Sequence, residues 1–280
     1  MTMPGTTELA QIASDLVGMT EMPSDSAIYV EGTDFKRVMM GIDIAGAELL
    51  LGRQLGVDAV IAHHPAGGDA RLNFHRVLDV QTEFLVRAGV PADIAERTIA
   101  PKIVAAQATA QIANFDHAPS IARLLKMPFL NVHLPLDEYG RRVMDRAIVD
   151  HLATVSGEGA TPTVADVVAG LRKIPELRDA RTDVTVPVGS ADNPAGKVFV
   201  FHGAGTNGGA SAARVMWDHG VDTVVYIHLA PAEADALRNM AQDGKNVVVS
   251  GHISSDMIGI NRYVADLEAR GVEVIRMSGL

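Results

Sequence analysis

The sequence predicts an α/β protein of two linked lobes, each built on a mixed, mostly parallel sheet. Apolar runs of four to seven residues alternate with longer segments of helical period, a pattern typical of α/β architecture. The chain has 280 residues, 48% of them hydrophobic, so it is long enough and apolar enough to bury a full core. Gly, Pro, Ser and Asp become frequent over residues 156–195, which indicates a linker or excursion between the lobes.

The first lobe is expected over residues 1–155, and its regular pattern starts with the strand "RVMMGIDI". The next segment, "AGAELLLGRQLG", is predicted to be a helix closed by Gly56, because glycine readily adopts the left-handed conformation that ends helices. Two further buried strands are "DAVIAHH" and "PFLNVHL". The remaining helical segments are "VLDVQTEFLVRAGV", an alanine-rich elaboration over about 92–126, and "GRRVMDRAIVDHLATV".

The second lobe is expected over residues 196–280, where strands and helices alternate regularly. Its strands are "KVFVF", "DTVVYI", "NVVVS" and "VEVIRM", with a helix in each interval. This order favours a mostly parallel sheet with right-handed connections. The excursion before it carries one short helix near residues 164–173.

Composition excludes several classes of protein. The formal net charge is −10 and the basic residues are scattered, whereas a phosphate backbone is bound by concentrated positive charge, so nucleic acid is not expected as a partner. The absence of cysteine excludes disulfides, thiolate catalysis and Cys-ligated zinc, and fits a reducing compartment. The N-terminal sequence lacks a signal-peptide pattern, and no apolar run reaches the roughly 18 residues of a membrane span. A soluble, cytoplasmic protein without a membrane partner is therefore expected.

Histidines are concentrated at one kind of position. Six of the ten fall at or just after the carboxyl end of a predicted strand: His63, His64, His133, His202, His228 and His252. One such histidine is usually a capping or core residue, but in open α/β sheets this is also the edge where ligands bind. The group as a whole favours a ligand site.

Two of these histidines are followed by a carboxylate at the same spacing. His133 precedes Asp137 in "HLPLD", and His252 precedes Asp256 in "HISSD". Four residues along a helix bring two side chains onto one face, which also describes an ordinary capping or surface pair. Together with the adjacent pair His63 and His64, however, imidazole and carboxylate suit zinc, manganese or iron. Two adjacent imidazoles, turned into one cleft where a strand ends, would fit a dinuclear centre.

The ordered set of motifs resembles a known family. "AHHP", "NVHLPLD" and "SGHISSD" lie near residues 63, 133 and 252. They are similar to the HHP, H-x-x-x-D and G-H-x-x-[ST]-E motifs of the dinuclear-metal-centre hexameric proteins. These are the NGG-one-interacting-factor-three-like proteins, often labelled GTP cyclohydrolase-like. The resemblance implies paired divalent ions in a cleft between the two lobes, and subunits assembled into a toroidal homohexamer.

Carried over position by position, the resemblance implies one set of metal ligands: His63, His64, Asp137, His252 and Asp256. His133 begins its motif and is expected beside the ions, as a weaker ligand or a substrate contact. Asp256 departs from the family, which usually has glutamate there, and its side chain is one methylene shorter. That difference is expected to alter the geometry or occupancy of one ion.

Two further residues could support the site from outside the ligand set. Asp43 ends the first predicted strand, where it could contact a ligand or cap the following helix. His202 follows the strand "KVFVF" and could position a substrate or carry a proton.

A rival motif occurs in "VFVFHGAGTNGGASAARV". Its glycines Gly203, Gly205 and Gly208 form G-x-G-x-x-G between a strand and a helix, the context of a dinucleotide fingerprint. That fingerprint needs an acidic residue at the end of the next strand, but Asp222 opens that strand instead. A tight strand–helix turn, with or without a bound substrate phosphate, is therefore favoured over an oxidoreductase.

The functional hypothesis is a metal-dependent hydrolase acting on a small nucleotide or another phosphate-containing substrate. The alternative is a metal-bearing scaffold without enzymatic activity. An open coordination position would favour hydrolysis, and a closed one would favour a structural role.

Overall fold

The computed structural model describes residues 3–157, 159–203 and 208–280. It confirms the predicted α/β class, with two mixed sheets whose strands are mostly parallel. The chain divides into two compact units. The first comprises Met1–Leu78, Lys102–Tyr139 and Gly259–Leu280, and the second comprises Asp79–Pro101 and Gly140–Ile258.

The strands of the described residues are, in chain order, β1 (Ala27–Val30), β2 (Arg37–Gly41), β3 (Ala59–Ala62), β4 (Phe129–Asn131), β5 (Thr185–Val188), β6 (Val198–Val200), β7 (Thr223–Tyr226), β8 (Asn246–Val249) and β9 (Glu273–Met277). The helices of the described residues are α1 (Thr6–Asp15), α2 (Gly46–Leu55), α3 (Gly68–Leu72), α4 (Phe74–Val77), α5 (Asp79–Ala88), α6 (Ala92–Ile112), α7 (His117–Leu125), α8 (Leu134–Gly157), α9 (Val164–Leu171), α10 (Pro175–Arg178), α11 (Gly209–Asp218), α12 (Pro231–Met240) and α13 (His252–Ala269).

The first unit is built on a sheet with the order β1-β4-β3-β2-β9. Strands β4, β3, β2 and β9 are mutually parallel, and β1 pairs antiparallel to β4 at one edge. Both faces of this sheet are buried, as is usual for parallel sheets. Along β2, Val38 and Met40 face a core shared with α1 and α13, while Met39 faces a core shared with α2 and α7. The sheet therefore lies between two helical layers.

The second unit is built on a sheet with the order β5-β8-β7-β6. Strands β8, β7 and β6 are parallel, and β5 is an antiparallel edge strand. The α11 and α12 helices connect the parallel strands in chain order. The predicted alternation of strand and helix in this part of the chain is thus confirmed up to β8.

The last strand lies elsewhere than the sequence pattern suggested. "VEVIRM" was expected to complete the second lobe, but β9 pairs in parallel with β2 in the sheet of the first unit. Residues 156–195 also do more than link the lobes. They supply α9, α10 and the edge strand β5, all within the second unit. Neither the short apolar run of β9 nor that of β5 carries local information about which sheet it joins.

Helix α8 starts earlier than expected. It begins at Leu134 rather than near Gly140, so the motif from His133 to Asp137 spans its first turn. Within the described ranges, none of the helices combines the length and the apolar character needed to cross a membrane.

Candidate metal centre

The parallel strands β2, β3 and β4 end at the same edge of the first sheet. The three segments that follow these strands therefore lie side by side. The amides of His63 and His64 donate to the carbonyls of Gly41 and Ile42 at 2.9 and 3.0 Å. On the other side of β3, the amide of Val132 donates to the carbonyl of Ala62 at 3.0 Å. The parallel ladder thus continues just past the strands and places His63, His64 and His133 together.

The three imidazoles form a compact cluster. Ring centroids are 5.1 Å apart for His63 and His64, 4.8 Å for His63 and His133, and 5.4 Å for His64 and His133. One ring nitrogen from each lies within 4.8 Å of the others. His63 is fully buried, His133 is 5% exposed, and His64 is the most accessible of the three. The adjacent histidines therefore lie in one cluster with His133.

Each of these rings has its Nδ1 atom beside an oxygen acceptor. For His63 the acceptor is the carbonyl of Val132 at 3.1 Å, and for His64 it is Oδ1 of Asp43 at 2.8 Å. For His133 it is Oδ2 of Asp25 at 2.9 Å. Because carbonyls and carboxylates only accept, the neutral rings of His63 and His64 carry their proton on Nδ1. Their Nε2 atoms then carry the lone pair that a metal needs.

Asp137 places its carboxylate against two of these Nε2 atoms. Oδ1 lies 3.2 Å from Nε2 of His63, and Oδ2 lies 3.6 Å from Nε2 of His133. The carboxylate is only 3% exposed. Lone pairs of a buried carboxylate and of neutral imidazoles repel one another unless a cation or a proton lies among them. The donor set of the first unit therefore fits a divalent ion of the zinc, manganese or iron type.

A hydrogen-bonded clamp holds the turn that follows the two histidines. The Tyr29 hydroxyl accepts from the amides of Ala66 and Gly67 at 3.0 and 3.3 Å and donates to Oδ1 of Asn131 at 2.6 Å. Nδ2 of Asn131 donates to the carbonyl of His63 at 3.3 Å. Burial raises the pKa of Tyr29 well above its ordinary value, so the hydroxyl keeps the proton that it donates.

We expect Tyr29→Phe to destabilise the protein by about 1–3 kcal/mol, because the amides of Ala66 and Gly67 lose their buried acceptor. Urea unfolding of both forms measures the difference. Tyr139→Phe is the matched control, since that hydroxyl bonds the exposed Arg262 and its loss should change stability little. Equal stability of the Tyr29 variant and the native protein would contradict the clamp.

The second unit carries its own histidines at the carboxyl ends of parallel strands. His252 opens α13, and its Nε2 atom lies 3.3 Å from Oδ2 of Asp256, four residues along the helix. Asp256 is buried, whereas the His252 side chain is 40% exposed. The ring of His228 lies 4.8 Å from that of His252. Burial lowers the pKa of His228, and His252 lowers it further, which favours the neutral form of this imidazole at pH 7.

The structure says less about the other predicted residues of the second unit, which are His202 and the glycines before α11. His202 follows β6, is 1% exposed, and contributes to the lowered pKa of His228. Gly208 precedes α11, where an added Cβ would lie 2.9 Å from the Tyr226 hydroxyl. Close packing is therefore enough to explain why glycine occupies this position, and no bound ligand is needed to explain it. Gly203 is described, with a φ of 131°, but Gly205 lies outside the described residues, so the phosphate role of this turn stays a prediction.

All six strand-end histidines occupy the predicted position, within three residues after β3, β4, β6, β7 or β8. The structure brings His63, His64, His133, Asp137 and Asp43 together in the first unit. In the second unit it joins His252 to Asp256 and adds His228, which the proposed ligand set omitted. Asp25 was also missed. It lies in the N-terminal segment, far along the chain from the ring that it contacts.

Three solved structures illustrate what the chain is similar to. A NIF3 superfamily protein from Sphaerobacter thermophilus is 55% identical, covers 100% of both chains, and superposes with a TM-score of 0.95. HcgD from Methanocaldococcus jannaschii, in its reduced form, is 13% identical over 98% of both chains, with a TM-score of 0.57. A Bacillus cereus protein related to NIF3 is 11% identical over 99% of this chain and 97% of that one, with a TM-score of 0.54.

The last two similarities show the fold alone. No family model and no curated protein matches the chain.

Proposed function

Because the chain belongs to the NIF3 superfamily and its first unit gathers three imidazoles around a buried carboxylate, we propose that it is a dinuclear metal-dependent hydrolase. The observation that carries the proposal is the orientation of His63, His64 and His133. The Nδ1 atoms of His63 and His64 hydrogen-bond to oxygen acceptors, which leaves the lone pair on Nε2, and Nδ1 of His133 lies 2.9 Å from the Asp25 carboxylate. Such an arrangement is typical of metal-ligating histidines.

The proposed ligands of the two ions are His63, His64, Asp137, His252 and Asp256. The first three are supported by the cluster at the edge of the first sheet. The other two are supported by the contact between His252 and Asp256 within the second unit. Divalent ions bound there would supply Lewis acidity, which lowers the pKa of water towards neutrality and polarises a phosphoryl oxygen.

The chain's own groups have separate tasks in this proposal. Asp43 orients His64 through its Nδ1 atom, and the clamp of Tyr29 and Asn131 holds the turn after His64 in place. His228, neutral at pH 7, would accept a hydrogen bond from a substrate hydroxyl. His202 would hold the substrate in the second unit. A small nucleotide or another phosphate-containing molecule is the proposed substrate class.

Assembly and location belong to the same proposal. Metal centres facing the cavity of a homohexamer in the cytoplasm would limit the substrate to small molecules. Light scattering of the purified protein measures the subunit number directly. A monomeric protein would contradict the enclosed cavity. It would leave the proposed metal ligands unaffected.

Elemental analysis of protein purified without chelator or metal-affinity resin is the primary test. We expect about two transition-metal ions per chain, as two-metal hydrolytic sites require. One ion would indicate that Asp256, shorter than the usual glutamate, weakens the second position. No ion, and no uptake when zinc or manganese is added, would contradict the proposal.

The metal-loaded protein should then be screened against hydrolysable nucleotides and phosphoesters. We expect turnover with at least one of them, and loss of turnover after chelation. Full loading with no hydrolysis of any phosphoester would favour the metal-bearing scaffold instead.

A further inference from the structure

Asp25 is a buried carboxylate that the ligand set does not use. It is 0% exposed, and its Oδ2 atom lies 2.9 Å from Nδ1 of His133. Burying a carboxylate is unfavourable unless a partner compensates for the lost hydration. The imidazole of His133 is such a partner, so the two side chains explain each other's burial.

The segment around Asp25 also fixes the backbone of His133. The Ser26 hydroxyl accepts the His133 amide at 3.0 Å, although the two residues are 107 positions apart. Nδ2 of Asn131 donates to the carbonyl of Asp25 at 2.7 Å. Residues 25–26 therefore contact both the main chain and the ring of His133.

This arrangement determines what the opposite edge of the His133 ring presents. Nε2 faces Oδ2 of Asp137 at 3.6 Å, and the ring lies beside those of His63 and His64. If the buried Asp25 carboxylate, 2.9 Å away, draws the ring proton to Nδ1, the lone pair stays on Nε2. Carboxylate partners of this kind set the tautomer and raise the basicity of histidine ligands.

We propose that Asp25 is a positioning residue that fixes the Nδ1–H tautomer of His133 and thereby makes His133 a third imidazole donor of the first unit. The proposal rests on the metal-binding function proposed above. It differs from a purely structural role for Asp25, which would stabilise the fold without setting the proton on the His133 ring.

The first test uses the metal-free protein. Nitrogen-15 NMR of the imidazoles reports which ring nitrogen carries the proton. We expect His133, assigned by comparison with His133→Gln, to carry it on Nδ1. In Asp25→Asn, where the amide is a weaker acceptor and also a donor, we expect a mixture of tautomers. An Nε2–H tautomer in the native protein would overturn the proposal.

The second test measures zinc affinity by competition with a chelator. Loss of an outer carboxylate partner weakens metal binding by about 10- to 100-fold, and we expect that loss in Asp25→Asn. In a His133→Ala background the same substitution should cause no further loss, because Asp25 acts through that ring. Asp15→Asn is the control, since this exposed carboxylate accepts from Gln11 within α1, and it should keep near-native affinity.

An equal loss of affinity from Asp25→Asn in both backgrounds would overturn the proposal, because it would show an effect that bypasses His133. The two proposals also fail separately. If the native protein binds no zinc, the metal function fails while the tautomer measurement still decides the role of Asp25. If zinc binds and Asp25→Asn leaves both affinity and tautomer unchanged, the inference about Asp25 alone fails.

Discussion

Replacing both His63 and His64 with alanine is expected to abolish metal retention. The two rings lie 5.1 Å apart at the end of β3 and supply two of the proposed ligands. Without them the first unit keeps only His133 and Asp137 of its donor set, which is too few ligands for a stable site. Elemental analysis of the double variant, purified in parallel with the native protein, should show metal at background level.

The fold should survive this change. His63 is fully buried and donates to the carbonyl of Val132, so its loss is expected to cost about 1–3 kcal/mol of unfolding free energy. The single variant His64→Ala removes only a partly exposed ring. It provides a second test if the double variant unfolds. His117→Ala, at the exposed start of α7, is the matched control and should retain full metal. Full retention by the double variant would rule out the proposed centre.

Gly259→Ala is expected to be the most destabilising single substitution that we consider. An added Cβ would overlap the carbonyl oxygen of Leu136 and lie 2.6 Å from its carbonyl carbon. Both atoms belong to the backbone of α8, so no side chain can move aside. Forcing bulk into such a close approach costs about 3 kcal/mol of stability, the upper end of the usual range for overpacking, which urea unfolding would measure.

The same substitution should also impair the metal centre. Asp137 follows Leu136 directly, so a shift of this turn moves the carboxylate away from His63 and His133. Gly157→Ala is the control, because nothing lies within 4 Å of an added Cβ there and alanine is the better helix former. A Gly259 variant with native stability would show that this helix contact is looser than the structure indicates.

The strand ends were predictable from sequence because their signals are local. An apolar run ending in histidine marks both a buried strand and the edge where it stops, so His63, His133 and His252 could be placed before the fold was known. The spacing of His252 and Asp256 likewise predicted one helical face. These inferences needed only the periods of strands and helices.

Long-range pairing explains what the sequence could not reveal. Asp25 meets His133 because β1 adds antiparallel to β4, and no local pattern encodes that partnership. The parallel pairing of β9 with β2 was missed for the same reason. The early start of α8 has a different cause, since Pro135 lies in its first turn, where proline is tolerated although it usually suggests a break.

The three oxygen acceptors of the histidine cluster are not equally open to evolutionary change. His63 is oriented by the main-chain carbonyl of Val132, which is present whatever residue occupies that position. His64 and His133 instead depend on the side chains of Asp43 and Asp25, which a single codon change can replace. Substitution at these two positions could thus change metal affinity in descendants of this protein while every proposed metal ligand stayed the same.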